Sequence, residues 1–211
     1  MKKLTSLILA IGLMLTFALS VNAQEPAITS TKASYDSSKA AAWNNYTYSD
    51  KEIDDMIDAF STNKLSNALN ASRMVSDDET TIKLNDTYYV TITCEEYTSQ
   101  KNTRGTAYWV MKRYHAEGKN VFGMTIWDFY VDADFIYDGI SVEYIGATSY
   151  GYTYALGWSC SNFDAAGYNI STTNAKAYGS GLYEFKIGID PIAMTVQSFT
   201  NMGYLYCTNN G

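Results

Sequence analysis

The chain has 211 residues with 22 acidic and 15 basic side chains, so its formal net charge at pH 7 is −7. Binding of nucleic acid depends on clustered Lys and Arg, and this acidic balance therefore argues against a nucleic-acid partner. One histidine and three cysteines cannot supply a zinc site of clustered His and Cys ligands. From the composition we expect no metal and no cofactor.

The N-terminus has the pattern of an export signal. Lys2 and Lys3 form a positive region before the apolar run 4–19, and small residues follow at Val21 and Ala23. This pattern predicts a signal peptide over 1–23, cleavage after Ala23 and a secreted, extracellular protein without a membrane association. The apolar run has about 16 residues, fewer than the roughly 20 that span a bilayer.

Two segments are expected to precede the β domain. Residues 24–47 are rich in Ser, Thr, Ala, Lys and Asn without a sustained apolar period, which predicts a mobile lead-in with Trp43 and Tyr46 docking at its end. Residues 48–79 are predicted to be helical, because Ser49 and Glu52 have the spacing of a capping box. The expected buried face of the helix consists of Ile53, Met56, Ile57 and Phe60.

From residue 80 onward the sequence pattern changes to a period of two, which predicts a β domain over 80–211. Regular short strands with turn signals predict a mainly β fold, namely an antiparallel β-sandwich or open barrel with a short N-terminal helical segment. The strand at 121–131 is apolar on both faces, and the helix is the expected cover of its second face. The predicted strands are 80–84, 87–97, 106–114, 121–131, 135–148, 150–160, 181–189 and 192–207, with turns at 85–86 and 116–120.

The stretch 150–160 places large side chains at even positions and small ones at odd positions. In one strand these sets lie on opposite faces, which favours a core strand and leaves an aromatic ligand surface as the alternative. The polar segment 162–181 is interpreted as a loop, where aromatic rings are more often exposed. The residues predicted to bind a ligand are Trp158, Tyr168, Tyr178 and Asn169, with Asn174 as a further hydrogen-bonding group.

An odd number of cysteines permits at most one internal disulfide. Cys94 lies within a predicted strand, on its apolar face, which indicates a buried thiol. The predicted bridge therefore joins Cys160 to Cys207, provided that the last strand runs close to the strand of Cys160.

Signals for catalysis are sparse. His115 is the only histidine, and no G-x-S-x-G motif accompanies it. Three acids near a predicted turn favour a solvated loop, with a calcium site as the alternative: Asp132, Asp134 and Asp138. A glycoside hydrolase would need two facing carboxylates, for which the candidates are Asp128, Glu143 and Glu184.

The leader "MKKLTSLILAIGLMLTFALS", the turn Tyr137-Asp138-Gly139 after an apolar strand, and the ending "GYLYCTNNG" carry a family resemblance. The chain resembles the small signal-bearing β-proteins that anaerobic Gram-positive bacteria export. The resemblance covers the leader and the last third of the chain. It implies a bacterial, secreted β-protein and assigns neither an activity nor a site residue.

These patterns predict a secreted, non-catalytic binding or interaction protein with a neutral glycan or a protein as its partner. Two alternatives stay open: a carboxylate-dependent hydrolase of an envelope polymer or glycan, and a secreted effector. Paired carboxylates at the floor of a cleft would favour the hydrolase, and a shallow aromatic groove would favour the binding protein.

Overall fold

The computed structural model describes residues 32–61, 64, 65, 67, 79–101, 107–188 and 193–211, with only the backbone at 98–101. Its helices with defined bounds are α1 (Ser37–Ala41) and α2 (Asp50–Ala59). Its strands are β1 (Thr80–Lys83), β2 (Tyr88–Lys101), β3 (Tyr108–Asn120), β4 (Thr125–Tyr137), β5 (Val142–Thr153), β6 (Trp158–Ser171), β7 (Asn174–Ile187) and β8 (Met194–Thr208).

The strands form two antiparallel sheets that pack face to face. The first sheet has the order β1-β2-β3-β4-β5 and the second has the order β6-β7-β8, so strands that follow each other in the chain are neighbours within each sheet. The chain crosses between the sheets at the turn 154–157. The predicted mainly β, antiparallel sandwich is confirmed, and the described strands do not close into a barrel.

The core lies between the inner faces of the two sheets. Strand β7 alternates between buried and less buried positions, as a half-buried strand should. Small residues on its inner face let the sheets approach closely, and a Cβ added to Gly179 would lie 2.8 Å from Val131 of β4. Where the sheets are further apart, large rings fill the space: Trp127, Phe129, Tyr183, Phe185 and Phe199.

Helix α2 closes one end of this core. Ser49 caps the helix and Glu52 completes the predicted capping box. Met56 and Phe60 are buried, whereas Ile53 and Ile57 are half-buried. The predicted face of the helix therefore faces the core, but it contacts the core mainly through Met56 and Phe60. The Phe60 ring lies against rings of both sheets: Tyr88, Trp127, Trp158 and Phe199.

The N-terminal segment 32–43, rather than helix α2, covers the outer face of β4 and β5. The backbone amide of Ala33 donates to the Tyr150 hydroxyl at 3.0 Å, and the Tyr152 hydroxyl donates to the carbonyl oxygen of Ala33 at 2.6 Å. Trp43 docks as predicted, and its indole donates to the carbonyl oxygen of Thr125 at 2.7 Å. The expected lead-in therefore packs on the sheet from residue 32, and its first part, 24–31, lies outside the described residues.

The predicted turn at 116–120 is wrong, because β3 continues to Asn120 and the turn lies at 121–124. Gly118 is a packing residue: the Trp127 indole lies in the space that a side chain at Gly118 would occupy. At the true turn, Gly123 has a positive φ of 77° and the Asn120 side chain accepts the Phe122 and Met124 amides.

The predicted single strand over 150–160 is also wrong. Strand β5 ends at Thr153, Gly157 turns with a φ of +83°, and β6 begins at Trp158. The predicted loop over 162–181 instead forms most of β6 and β7, joined by the two-residue turn 172–173. Its polar side chains misled the prediction because both strands lie at the surface on one face.

The predicted Cys160–Cys207 disulfide is contradicted, since neither Cys160 nor Cys207 forms a disulfide. Cys160 lies opposite Tyr183 on β7, whereas Cys207 lies opposite Ala175. These partners are eight positions apart along β7, about 26 Å at the rise of a strand. A disulfide requires Cα atoms within ~7 Å.

Candidate functional site

The outer face of the three-stranded sheet carries four tyrosines around one lysine. Tyr168 of β6 lies opposite Lys176 of β7, which lies opposite Tyr206 of β8. In the adjacent row of the sheet, Tyr178 lies opposite Tyr204. Cross-strand partners point to the same side of a sheet, so these five residues form one surface, which we call the tyrosine face.

The rings of the tyrosine face are accessible. Tyr168 is 52% exposed and Tyr206 is 49% exposed, while Tyr178 and Tyr204 are half-buried. The core supports the sheet that carries these rings, because the inner face of β7 is buried in the sandwich. The result is a rigid aromatic surface about 10 Å wide across three strands.

Lys176 lies in the middle of the tyrosine face with its ammonium group over the rings. Its Nζ is 4.5 Å from the ring centroid of Tyr204, 5.6 Å from that of Tyr206 and 6.0 Å from that of Tyr178. These distances are those of cation–π interactions, which hold the lysine stem along the sheet.

Two of the predicted binding residues, Tyr168 and Tyr178, thus meet on one surface. Asn169 points to the opposite side of β6, where its side-chain oxygen accepts the Tyr144 amide at 2.8 Å. Asn174 is on the same side as Lys176 at the end of the surface, and its amide group donates to Ser171 and Thr173.

Trp158 does not belong to this surface. Its side chain is in the core with 7% of the residue exposed, and its indole donates to the sulfur of Met56 at 3.1 Å. Its ring packs against Phe60, Phe185 and Phe199. The predicted role of Trp158 in ligand contact is therefore wrong, because no face of the ring is free.

The prediction missed Lys176, Tyr204 and Tyr206. The sequence does contain a pattern that indicates them, because Lys176 and Tyr178 are two positions apart, as are Tyr204 and Tyr206. Such spacing places each pair on one face of a strand. Only the register of the three strands, which the sequence does not state, brings the pairs together.

A second group of polar side chains lies on the outer face of the five-stranded sheet, under segment 32–43. We call it the charged cluster: Lys39, His115, Glu117 and Asp128. Glu117 of β3 lies opposite Asp128 of β4, and the Lys39 ammonium bridges them at 2.6 Å and 2.9 Å. His115 Nε2 is 3.2 Å from Asp128 Oδ1, and its ring stacks on Tyr130 at 4.2 Å.

Asp128 is the centre of the charged cluster. Burial by itself would raise the pKa of its carboxyl group, but hydrogen bonds from His115, Tyr154 and Lys39 outweigh this effect and lower the pKa to about 2. The Tyr154 hydroxyl donates to Asp128 Oδ2 at 2.6 Å. Burial, and after it this hydrogen bond, raises the pKa of Tyr154. Asp128 is thus a fully hydrogen-bonded carboxylate and a poor acceptor for a substrate proton.

The carboxylates considered for a hydrolase do not meet. Asp128 lies in the charged cluster, Glu143 is exposed on β5, and Glu184 lies on β7 beside Lys186 at 3.3 Å. The facing pair is Glu117 and Asp128, which the prediction missed because it assigned residue 117 to a turn. Among the described residues, His115, Glu117 and Asp128 are the group with metal-ligand spacing, and the Lys39 ammonium already lies between its two carboxylates.

The three acids considered for calcium also have separate partners. Arg113 donates to both carboxylate oxygens of Asp132 at 2.6 Å and 2.7 Å. Asp134 accepts the Trp109 indole, and Asp138 caps its own turn by accepting the Ile140 and Ser141 amides. This arrangement fits the turn-acid interpretation for Asp138 and gives the other two structural roles.

A shallow cleft of about 450 Å³ lies at the end of the sandwich where the chain terminates. Two stacked rings, Tyr108 and Tyr137, form part of its wall with centroids 5.3 Å apart. The other residues around it are Asp138, Gly139, Asn209 and Asn210.

The chain was compared with known proteins. No protein family, no curated protein and no solved structure matches it at a significant level. A search of the described residues for long apolar helices finds none that could span a membrane.

Proposed function

We propose that this chain is a secreted, non-catalytic binding protein whose tyrosine face holds a glycan. The observation that supports the proposal most strongly is the cluster of accessible rings, with Tyr168 and Tyr206 about half exposed on one rigid sheet. Monomeric proteins rarely leave several large rings together at the surface without a partner.

The chemistry of the tyrosine face suits a sugar chain. A tyrosine ring offers an apolar face to the C–H groups of a sugar ring, while its hydroxyl group forms hydrogen bonds at the edge. Rings on adjacent strands are ~5 Å apart and rings two residues apart are ~7 Å apart. A linear oligosaccharide of a few units has the length to cover several of these rings at once.

The hydrolase alternative has less support. A glycosidase needs one carboxylic acid that donates a proton and a second carboxylate across a cleft. The facing pair of the charged cluster is bridged by Lys39 and lies beneath segment 32–43. No specific contact among the described residues favours the effector alternative.

A glycan array tests the proposal with three proteins. We expect wild type to bind at least one class of glycan. The double variant Tyr168→Ala, Tyr178→Ala should lose about a hundredfold or more in affinity, because two rings that the glycan buries contribute about 3–6 kcal/mol together. Tyr35→Ala is the matched control, since Tyr35 is 50% exposed but packs on Tyr154, which lies directly after β5 and away from the tyrosine face. Thermal melting of all three proteins checks that each is folded.

The proposal fails if wild type binds no glycan. It also fails if binding survives in the folded double variant, or if the Tyr35 variant loses as much affinity as the double variant, because the tyrosine face would then not be the site.

A further inference from the structure

Lys176 differs from most of the described lysines because it has no carboxylate partner among the described residues. Seven of the described lysines form ion pairs with carboxylates: Lys39, Lys51, Lys64, Lys83, Lys112, Lys119 and Lys186. In a chain with an excess of acids, an unpaired lysine in the middle of an aromatic surface calls for an explanation. Among the lysines whose side chains the structure describes, the other exception is Lys32, which lies over the Tyr150 ring.

We infer that the glycan held by the tyrosine face carries a negatively charged group, a carboxylate or a sulfate, that pairs with Lys176. This inference rests on the proposed function and replaces the neutral glycan that the composition favours. The ammonium group lies over tyrosine rings, and no carboxylate of the described residues accepts a hydrogen bond from its three donors. An anionic substituent on a sugar ring stacked beside Lys176 would supply the missing acceptor.

The position of Lys176 supports a specific contact. Tyr168 and Tyr206 flank it on the neighbouring strands, so a sugar that stacks on either ring brings its substituents within reach of the ammonium group. The aromatic surroundings reduce contact with water, which strengthens the attraction between the ammonium and an anion. A lysine binds such a group as a point charge and accepts either a carboxylate or a sulfate.

The net charge of −7 limits the number of negative charges on the ligand. The nearest acid on the outer face of β6 is Asp164, opposite Ser180, four positions along β7 from Lys176. That separation is about 13 Å, longer than the Debye length of about 8 Å at physiological ionic strength. For a ligand with one anionic group, the attraction to Lys176 therefore exceeds the repulsion from the acidic residues. A polyanion would extend beyond Lys176 and would be repelled by the net negative charge of the whole molecule.

Paired glycans test the inference. The probes are a set of neutral oligosaccharides and the same oligosaccharides with one uronic acid or with one sulfate group. We expect an acidic member to bind about tenfold more tightly than its neutral counterpart, as a charge-assisted hydrogen bond predicts. The uronate and sulfate arms identify which of the two anions is preferred.

Three variants assign the preference to Lys176. Lys176→Met should bring acidic and neutral members within about twofold, and Lys176→Arg should keep the preference because it keeps the charge. Lys186→Met is the matched control, because Lys186 lies on the same side of β7 but pairs with Glu184 at 3.3 Å. It should leave the preference unchanged.

The outcomes separate this inference from the proposed function. If neutral members bind as tightly as acidic ones, or if the acidic preference survives in folded Lys176→Met, the inference is overturned while glycan binding stands. If neither kind of glycan binds, the proposed function fails and the inference fails with it.

Discussion

At the scale of single residues, two buried asparagines have opposite environments. Asn120 is 2% exposed and its side-chain oxygen accepts the Phe122 and Met124 amides in the β3–β4 turn. Asn201 is fully buried on the inner face of β8, and neither polar atom of its side chain has a partner among the described residues. A buried polar group without a partner costs about 1–3 kcal/mol.

We therefore predict opposite effects for the same substitution. Asn201→Leu replaces an unpaired polar group with an apolar group of similar shape and should raise the free energy of unfolding by about 1 kcal/mol. Asn120→Leu leaves two backbone amides without an acceptor and should lower it by about 1–3 kcal/mol. Urea denaturation measures both, and a clear loss of stability in Asn201→Leu would contradict the environment described for Asn201.

Asp128 makes stability depend on pH in acid. Its pKa in the folded protein is lowered from 3.8 to about 2, so its carboxylate stabilises the fold at every pH above about 4. As pH falls from about 4 to about 2 the carboxylate is protonated and this stabilisation, about 2 kcal/mol, is lost.

Lys39→Met removes one of the groups that lower the pKa of Asp128. The pKa should rise, and the acid-induced loss of stability should begin at higher pH than in wild type. Lys51→Met is the control, because Lys51 is 81% exposed in its pair with Asp55 and surface pairs contribute little. Unfolding curves between pH 2 and pH 6 compare the three proteins, and coincident profiles for Lys39→Met and wild type would refute the role given to Lys39.

At the scale of elements, the boundaries depended on what each glycine does. Gly123 and Gly157 have positive φ and mark true turns. Gly118 lies inside β3, where it makes room for Trp127, yet in the sequence it looks like a turn residue. The pattern of the strands was accessible from the sequence, but the distinction between a turning glycine and a packing glycine depends on the residue across the sheet.

Two glycine substitutions separate these roles. In Gly118→Ala the new Cβ meets the Trp127 indole, and we expect a loss of about 1–3 kcal/mol, as for other overpacked cores. Gly146→Ala in β5 meets nothing within 4 Å and should change stability little. Thermal denaturation compares the two, and equal stability would show that β3 shifts freely to accommodate the methyl group.

At the scale of the whole molecule, the sandwich class was predictable because alternating apolar positions run through most of the strands. The helix was predictable from its capping box, but its place was not: segment 32–43, and not α2, covers the charged outer face of β4. Candidate site residues were predictable in part. Tyr168 and Tyr178 were found as surface tyrosines, whereas the wrongly predicted disulfide and the buried Trp158 both followed from an unknown strand register.

A glycan bound on the tyrosine face would be detected by NMR that resolves the individual tyrosine rings. Protein labelled with ¹³C in its tyrosine rings would be titrated with a glycan selected on the array, with single Tyr→Phe variants providing the assignments. We predict that the largest changes in ring chemical shift occur at Tyr168, Tyr178, Tyr204 and Tyr206. The ring signals of Tyr35 and Tyr154 should not shift. Shifts at Tyr108 and Tyr137 with an unperturbed tyrosine face would place the ligand in the terminal cleft and contradict binding on the tyrosine face.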